Sequence, residues 1–222
     1  MLTRQLKKLS GNKLNPKETA LVVIDMQNDF CTKGGGMDKR GYNITHARKV
    51  IPNIARMLKY CRDARIKIFH VRVENSTVTS SATWDDRPAA RDDQKLGFRL
   101  IEPGSWGAEI VDELKPIQGE PVVVKTRYSA FVNTELPLFL TNCGIKNIIF
   151  TGATTNVCIE TGARDAFVMD YNVIIASDCV SSPEPDLGEA SLRTIGKYFG
   201  RVSTSDDIVN DLLIPQMTQS PN

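Results

Sequence analysis

The stretch NIIFTGATTNVCIETGARDAFVMDYNVIIASDCV, residues 147–180, decides the fold. An apolar run at 147–152 leads through a turn to a helical pattern over 157–170, and a second apolar run follows at 172–180. Continuous apolar runs of this kind are typical of strands that are buried on both faces. Two such runs joined by a helix predict a β-α-β unit with parallel strands and a right-handed crossover.

The same alternation extends over the rest of the chain. Further apolar runs, which predict strands, lie at 20–24, 67–73, 121–125 and 201–204. Helical patterns lie at 45–64, 107–114, 133–142, 187–199 and 206–213. The alternation predicts an α/β fold of three layers, in which helices cover both faces of a parallel sheet.

Composition and charge narrow the class of protein. The chain has 222 residues and a formal net charge of +2, which argues against a dedicated nucleic-acid-binding protein. The positive balance comes from the start of the chain, so we divide it into a basic N-terminal arm, 1–15, and a single domain, 16–222. No apolar run approaches the length of a membrane span, so we expect no membrane association.

The cysteines and histidines restrict the possible chemistry. The five cysteines are widely spaced and odd in number, which predicts free thiols and a cytoplasmic location. Neither of the two histidines has the spacing of a metal site, so we expect no metal. No G-x-G-x-x-G follows the first strand, and we expect no cofactor. Four thiols are expected to have a packing role: Cys31, Cys61, Cys143 and Cys179. For Cys31, a position lining the pocket is the open alternative.

Three reactive side chains come directly after predicted strands. They are Asp25, Lys125 and Cys158, and the carboxyl ends of parallel strands form the usual site of an α/β sheet. Taken alone, each has an ordinary interpretation: a capping carboxylate, a solvated ammonium and a small core thiol. Together they predict a nucleophilic thiol whose pKa is lowered by a helix N-terminus and by Lys125, with Asp25 as its base.

The segment 75–106 is the one long stretch without clear periodicity. Loops of that length in compact domains are usually functional or disordered. Its aromatic residues Trp84, Phe98 and Trp106 predict that it packs over a site or against another subunit. The glycines at 34–36 are interpreted as the hinge of a second, mobile loop.

Three motifs resemble the isochorismatase-like cysteine hydrolase family: VVIDMQNDFC (22–31), KTRYSAFVNTELPLFL (125–140) and the segment 150–180. The resemblance runs from about residue 18 to 209 and implies a six-stranded parallel sheet of order 3-2-1-4-5-6 in a homo-oligomer, with a tetramer favoured. It implies that Asp25, Lys125 and Cys158 form a catalytic triad. It also implies a cis peptide bond between Ala153 and Thr154, and an oxyanion hole made by the backbone N–H groups of Thr154 and Cys158.

Within that family, KTRYSAF with its following NT and GSWGAEIVDEL (104–114) are similar to members that cleave ureides. The similarity implies a role in nitrogen metabolism: cleavage of a C–N bond in a linear ureide of the biuret, triuret or ureidoacrylate kind. Ammonia would be released through a Cys158 thioester. Phe30 is expected to wall the pocket, and Arg127 and Tyr128 are expected to contact the substrate.

Other members of the family leave two alternatives open. Nicotinamidases of the family add histidine metal ligands that this sequence lacks, and isochorismatases proper lack the cysteine. An N-carbamoylsarcosine-type or other small-amide amidase remains an alternative substrate class. A non-catalytic scaffold with the same fold is the alternative of a different class.

Overall fold

One parallel sheet forms the centre of the computed structural model, which describes residues 13–88 and 99–213. Its strands are β1 Thr19–Ile24, β2 Lys67–Val73, β3 Val122–Lys125, β4 Asn147–Ala153, β5 Asn172–Ser181 and β6 Gly200–Ser203. They lie in the order β3-β2-β1-β4-β5-β6, and each neighbouring pair is parallel. The predicted six-stranded order 3-2-1-4-5-6 is therefore confirmed.

Helices cover both faces of this sheet. The α-helices are α1 Asn28–Cys31, α2 Gly36–Lys39, α3 Thr45–Asp63, α4 Ala82–Asp85, α5 Leu136–Asn142, α6 Glu160–Val168, α7 Pro185–Tyr198 and α8 Ser205–Leu213. Short 3₁₀ turns lie at Pro16–Glu18, Trp106–Ala108 and Asp112–Leu114, and a π-helical turn at Thr155–Ile159 precedes α6. Within the described residues, no helix combines the length and the apolar character that crossing a membrane requires.

The two cores follow from the alternation of side chains along β1. Leu21 and Val23 face a core completed by α3 and α8, whereas Val22 and Ile24 face a core completed by α5, α6 and α7. Every residue of β1 is buried because it is a central strand covered on both faces. The apolar stripe of α3 has helical spacing, and burying one side chain of that kind contributes about 1.5–3 kcal/mol.

The structure corrects one predicted helix. The segment 107–114 is not an α-helix, because Ile110 forms a β-bridge with Gln27, between two 3₁₀ turns. Backbone bonds from Asn28 N to Glu109 O (2.9 Å) and from Val111 N to Met26 O (2.9 Å) hold the segment extended. Tertiary pairing with the chain that leaves β1 therefore overrides a helical pattern. Residues 1–12 of the predicted arm lie outside the described residues.

Gly152 sets how closely β4 approaches the end of β1. Its φ of +114° lies in a region that side chains rarely adopt, and a Cβ at this position would lie 2.0 Å from the Ile24 carbonyl oxygen. The close approach brings the turn after β4 against Asp25, the residue that follows Ile24.

We expect Gly152→Ala to destabilise the fold by about 2–4 kcal/mol, because it adds both a backbone clash and conformational strain. Urea unfolding followed by circular dichroism measures this change. Gly162→Ala is the matched control, because a Cβ there makes only ordinary contact, 3.5 Å from Phe150, inside a helix. The control should be neutral or stabilising by up to about 1 kcal/mol. Equal midpoints for Gly152→Ala and the wild type would contradict the argument.

Candidate active site

The three reactive side chains reach one point from three strands. Asp25 follows β1, Lys125 ends β3, and Cys158 lies in the π-helical turn after β4. Because β2 lies between β1 and β3, the Lys125 backbone is two strands from Asp25, roughly 9–10 Å away at about 4.8 Å per strand. The long lysine side chain spans this separation.

Lys125 is the centre of the cluster. Its Nζ lies 2.8 Å from Asp25 Oδ2 and donates hydrogen bonds to Cys158 Sγ (3.4 Å) and to the Arg127 carbonyl (3.1 Å). The side chains of Lys125 and Asp25 are 0% and 3% exposed. A buried ammonium is tolerable only where it is paired and hydrogen-bonded, and these three contacts meet that condition.

Asp25 sits in an uncommon backbone conformation, with φ of +56°. Its N–H donates to the Val71 carbonyl at 2.8 Å, which ties it to β2. Neither carboxylate oxygen has a well-aligned hydrogen-bond donor among the described residues. With Lys125 Nζ 2.8 Å from Oδ2 as its ion-pair partner, the carboxylate keeps acceptor capacity for a further donor.

Burial dominates the electrostatics of the site. It raises the pKa of the Cys158 thiol to about 12, although the Lys125 ammonium acts to lower it. The expectation of a lowered thiol pKa is therefore wrong for the free enzyme. Burial also raises the pKa of Asp25 above 3.8 despite Lys125. For Lys125, burial acts to lower the pKa, but Asp25 and Cys158 outweigh it, and the pKa is raised.

The turn that carries Cys158 begins at a cis peptide bond between Ala153 and Thr154. The Thr154 carbonyl accepts from Val157 N (3.1 Å) and Ile159 N (3.2 Å), so the turn closes on Thr154. Cys158 itself is only 9% exposed. Thr154 and Cys158 therefore flank the same short turn at the end of β4.

Of the three expected substrate contacts, Arg127 is bonded to this cluster, through its backbone carbonyl. Phe30 is half-buried on α1 between two apolar clusters. The strand does not continue beyond Lys125, and the bend that follows brings Tyr128 against the core that contains Cys158. The Arg127 guanidinium forms no ion pair among the described residues; its Nη1 donates to the carbonyls of Thr79 (3.0 Å) and Thr126 (2.7 Å).

Gln27 is a residue that the sequence reasoning missed. It is fully buried, and its Nε2 donates to the Val73 carbonyl (2.8 Å) and the Ala108 carbonyl (2.9 Å), while its Oε1 accepts from Val73 N (2.9 Å). These bonds fix the end of β2, the strand that Lys125 crosses. The polar run QND (27–29), which begins three residues after the buried strand ends, was the available signal.

Asp29 extends this polar framework to the surrounding loops. Its Oδ1 accepts from Gly36 N (2.8 Å) and its Oδ2 from Ile101 N (2.7 Å). The GGG segment interpreted as a hinge is thus tied to the wall beside the site, together with one end of the 75–106 segment. Phe98 of that segment lies outside the described residues.

The remaining candidate groups lie elsewhere. His70 is buried in β2 with Nε2 3.0 Å from Glu120 Oε2, and His46 Nδ1 lies 3.3 Å from Ser181 Oγ. Cys31 is a core residue rather than a pocket residue. In the part of the chain that the structure describes, no three histidines, cysteines or acids are arranged to hold a metal.

The chain is similar to known proteins both in sequence and in structure. The model of the isochorismatase domain family matches residues 19–207. The ureidoacrylate amidohydrolase RutB of Serratia proteamaculans (strain 568) is 38% identical over 210 residues, which cover 90% of this chain and 85% of the relative.

Two solved structures are also similar. A cysteine hydrolase from Pseudomonas syringae pv. phaseolicola 1448A superimposes with a TM-score of 0.80 at 26% identity, covering 90% of this chain and 94% of the other. The N-carbamoylsarcosine amidase of Thermoplasma acidophilum gives a TM-score of 0.67 at 26% identity, covering 85% and 97%. With a family match over most of its length and the fold of these hydrolases, the chain belongs to the isochorismatase family.

Proposed function

We propose that this hydrolase of C–N amide bonds cleaves a small linear ureide through a thioester on Cys158. The observation that carries the proposal is the buried contact of Lys125 with both Asp25 and Cys158, at 2.8 Å and 3.4 Å. A nucleophile, a base and a fixed positive charge lie together at the carboxyl end of the sheet. The similarity to enzymes named ureidoacrylate amidohydrolase supports a ureide as the substrate.

The proposed mechanism uses Asp25 as the proton carrier. Asp25 takes the thiol proton as Cys158 Sγ forms a bond to the carbamoyl carbon. The C–N bond then breaks, and the proton passes from Asp25 to the leaving nitrogen. Water attacks the thioester, Asp25 accepts one proton from that water, and the thiol is restored. Ammonia is released either directly or from the carbamate product.

The oxyanion that forms during both attacks needs hydrogen-bond donors. The backbone N–H groups of Thr154 and Cys158 are the proposed donors, because both flank the turn that follows the cis peptide bond. In comparable sites one such donor contributes about 3–4 kcal/mol to lowering the barrier. The Lys125 ammonium balances the negative charge, whether that charge lies on Asp25, on the Cys158 thiolate or on the oxyanion. Phe30, Arg127 and Tyr128 are the proposed substrate contacts.

The identity of the substrate is decided by a panel that measures ammonia release from ureidoacrylate, biuret, triuret, N-carbamoylsarcosine and nicotinamide. A linear ureide should be the preferred substrate. The similarity to an N-carbamoylsarcosine amidase makes that compound the second candidate. A non-catalytic scaffold would release no ammonia from any of them. Homo-oligomerisation and a cytoplasmic location stay predictions.

We expect Cys158→Ala to abolish ammonia release and Asp25→Asn to reduce kcat at least about 100-fold, because general-base transfer contributes that much or more. Both variants should fold to the wild-type circular dichroism spectrum, although Asp25→Asn should unfold at a lower urea concentration because Lys125 loses its buried counter-ion. Cys143→Ser is the matched control, because that half-buried thiol lies at the end of α5. It should retain near-normal turnover. Substantial turnover by Cys158→Ala would exclude the proposed nucleophile.

The pH dependence tests the role of Asp25. Only the ionised carboxylate can accept the thiol proton, so kcat/KM should fall as the pH falls through the pKa of Asp25. Because burial raises that pKa above 3.8, the loss should begin at a higher pH than for an exposed aspartate. A kcat/KM profile over acidic to neutral pH, with folding monitored in parallel, measures this. A midpoint at or below 3.8 would contradict the assignment.

A further inference from the structure

The indole of Trp84 lies against two guanidinium groups close to the site. Arg87 Cζ is 4.0 Å and Arg127 Cζ 4.9 Å from the centre of the ring, and the Tyr128 ring lies 4.8 Å from it at 59°. Stacking on an aromatic face holds a guanidinium plane in one orientation. The 75–106 segment, through Trp84, therefore orders two positive charges.

Lys125 connects this group to the candidate nucleophile through the Arg127 backbone. The Arg127 carbonyl accepts from Lys125 Nζ at 3.1 Å, and the same Nζ lies 3.4 Å from Cys158 Sγ. Tyr128, which contacts Trp84, packs against the apolar cluster that includes Cys158. The backbone of Arg127 is thus bonded to the lysine that contacts the candidate nucleophile, and its guanidinium extends from there to the Trp84 ring.

Neither guanidinium is neutralised by a carboxylate within 13–88 or 99–213. Arg127 Nη1 donates to the carbonyls of Thr79 (3.0 Å) and Thr126 (2.7 Å), and Arg87 donates to the Trp84 carbonyl. The neighbouring Asp85 instead accepts from Ser80 Oγ at 2.5 Å. By contrast, Arg62, Arg164 and Arg201 each pair with a carboxylate. The bonds that orient Arg127 therefore leave its positive charge without a carboxylate partner among those residues.

We propose that Arg127, held on Trp84 and assisted by Arg87, binds a carboxylate at the end of the substrate remote from the scissile C–N bond. A fixed guanidinium offers paired N–H donors that match the two oxygens of a carboxylate. The inference rests on the proposed function and narrows it to anionic ureides, of which ureidoacrylate is one, over neutral ureides such as biuret.

The test compares ureidoacrylate with its methyl ester, which has the same skeleton without the negative charge. The rate of ammonia release is measured for both compounds. For the acid, Arg127→Gln should lower kcat/KM about 10- to 100-fold, mainly by raising KM, because a hydrogen bond to a charged group is lost. The value for the ester should change less than about threefold. Trp84→Leu should also lower kcat/KM for the acid more than for the ester, but by a smaller factor. Added salt should lower kcat/KM for the acid only, because it screens the charge interaction.

Arg164→Gln is the matched control, because Arg164 also stacks on a ring, 4.4 Å from the centre of Phe199, but is paired with Glu160. It should leave both substrates unchanged. Arg127→Lys keeps the charge without the paired donors and should show an intermediate loss for the acid. An equal loss for acid and ester in Arg127→Gln, or no loss, overturns the subsite.

Calorimetric binding separates the subsite from the reaction. In a Cys158→Ala background, ureidoacrylate should bind about 10- to 100-fold more tightly than its ester, and Arg127→Gln should remove the difference. Equal binding of the two compounds overturns the subsite whatever the turnover. Selective binding together with a wild type that releases no ammonia overturns the proposed function and leaves the subsite standing.

Discussion

The ion pair between Lys125 and Asp25 is the constraint on which the site depends. The two residues belong to strands separated by β2, yet their charged atoms lie 2.8 Å apart with almost no exposure. Breaking a buried pair by removing one partner typically destabilises by about 3–5 kcal/mol, because an uncompensated charge remains. The lysine must therefore cross the end of β2, and that strand must end where the side chain passes.

Gln27 explains how β2 is held at that point. Its side chain accepts from and donates to the backbone of Val73, which is the residue paired with Lys125 in the sheet. A third bond, to the Ala108 carbonyl, joins the same point to the segment that was predicted to be a helix. One buried amide thus forms hydrogen bonds with the end of β2 and with the turn that contains Ala108.

The fold and the reactive residues could be predicted from the sequence because buried parallel strands appear as apolar runs and their carboxyl ends are fixed by chain direction. The helix predicted at 107–114 was wrong because the pairing of Ile110 with Gln27 is a tertiary contact that periodicity does not encode. The thiol pKa was wrong in direction because helix position is visible in a sequence, whereas depth of burial is not. Trp84 was identified as packing, but its two arginine neighbours depend on loop conformation.

A raised thiol pKa is compatible with a nucleophilic role because the total charge of the cluster does not change when the proton moves. With Asp25 ionised and Cys158 protonated, the carboxylate balances Lys125; after transfer, the thiolate balances it instead. Both charge partners lie within 3.4 Å of Nζ, so the ammonium need not move far. Water is not required to stabilise either arrangement, and a substrate that fills the site removes little solvation from either. The raised pKa values of Asp25 and Cys158 are then the consequence of burial. Because Lys125 balances the charge before and after the proton moves, it lowers the free-energy cost of proton transfer between these two buried groups.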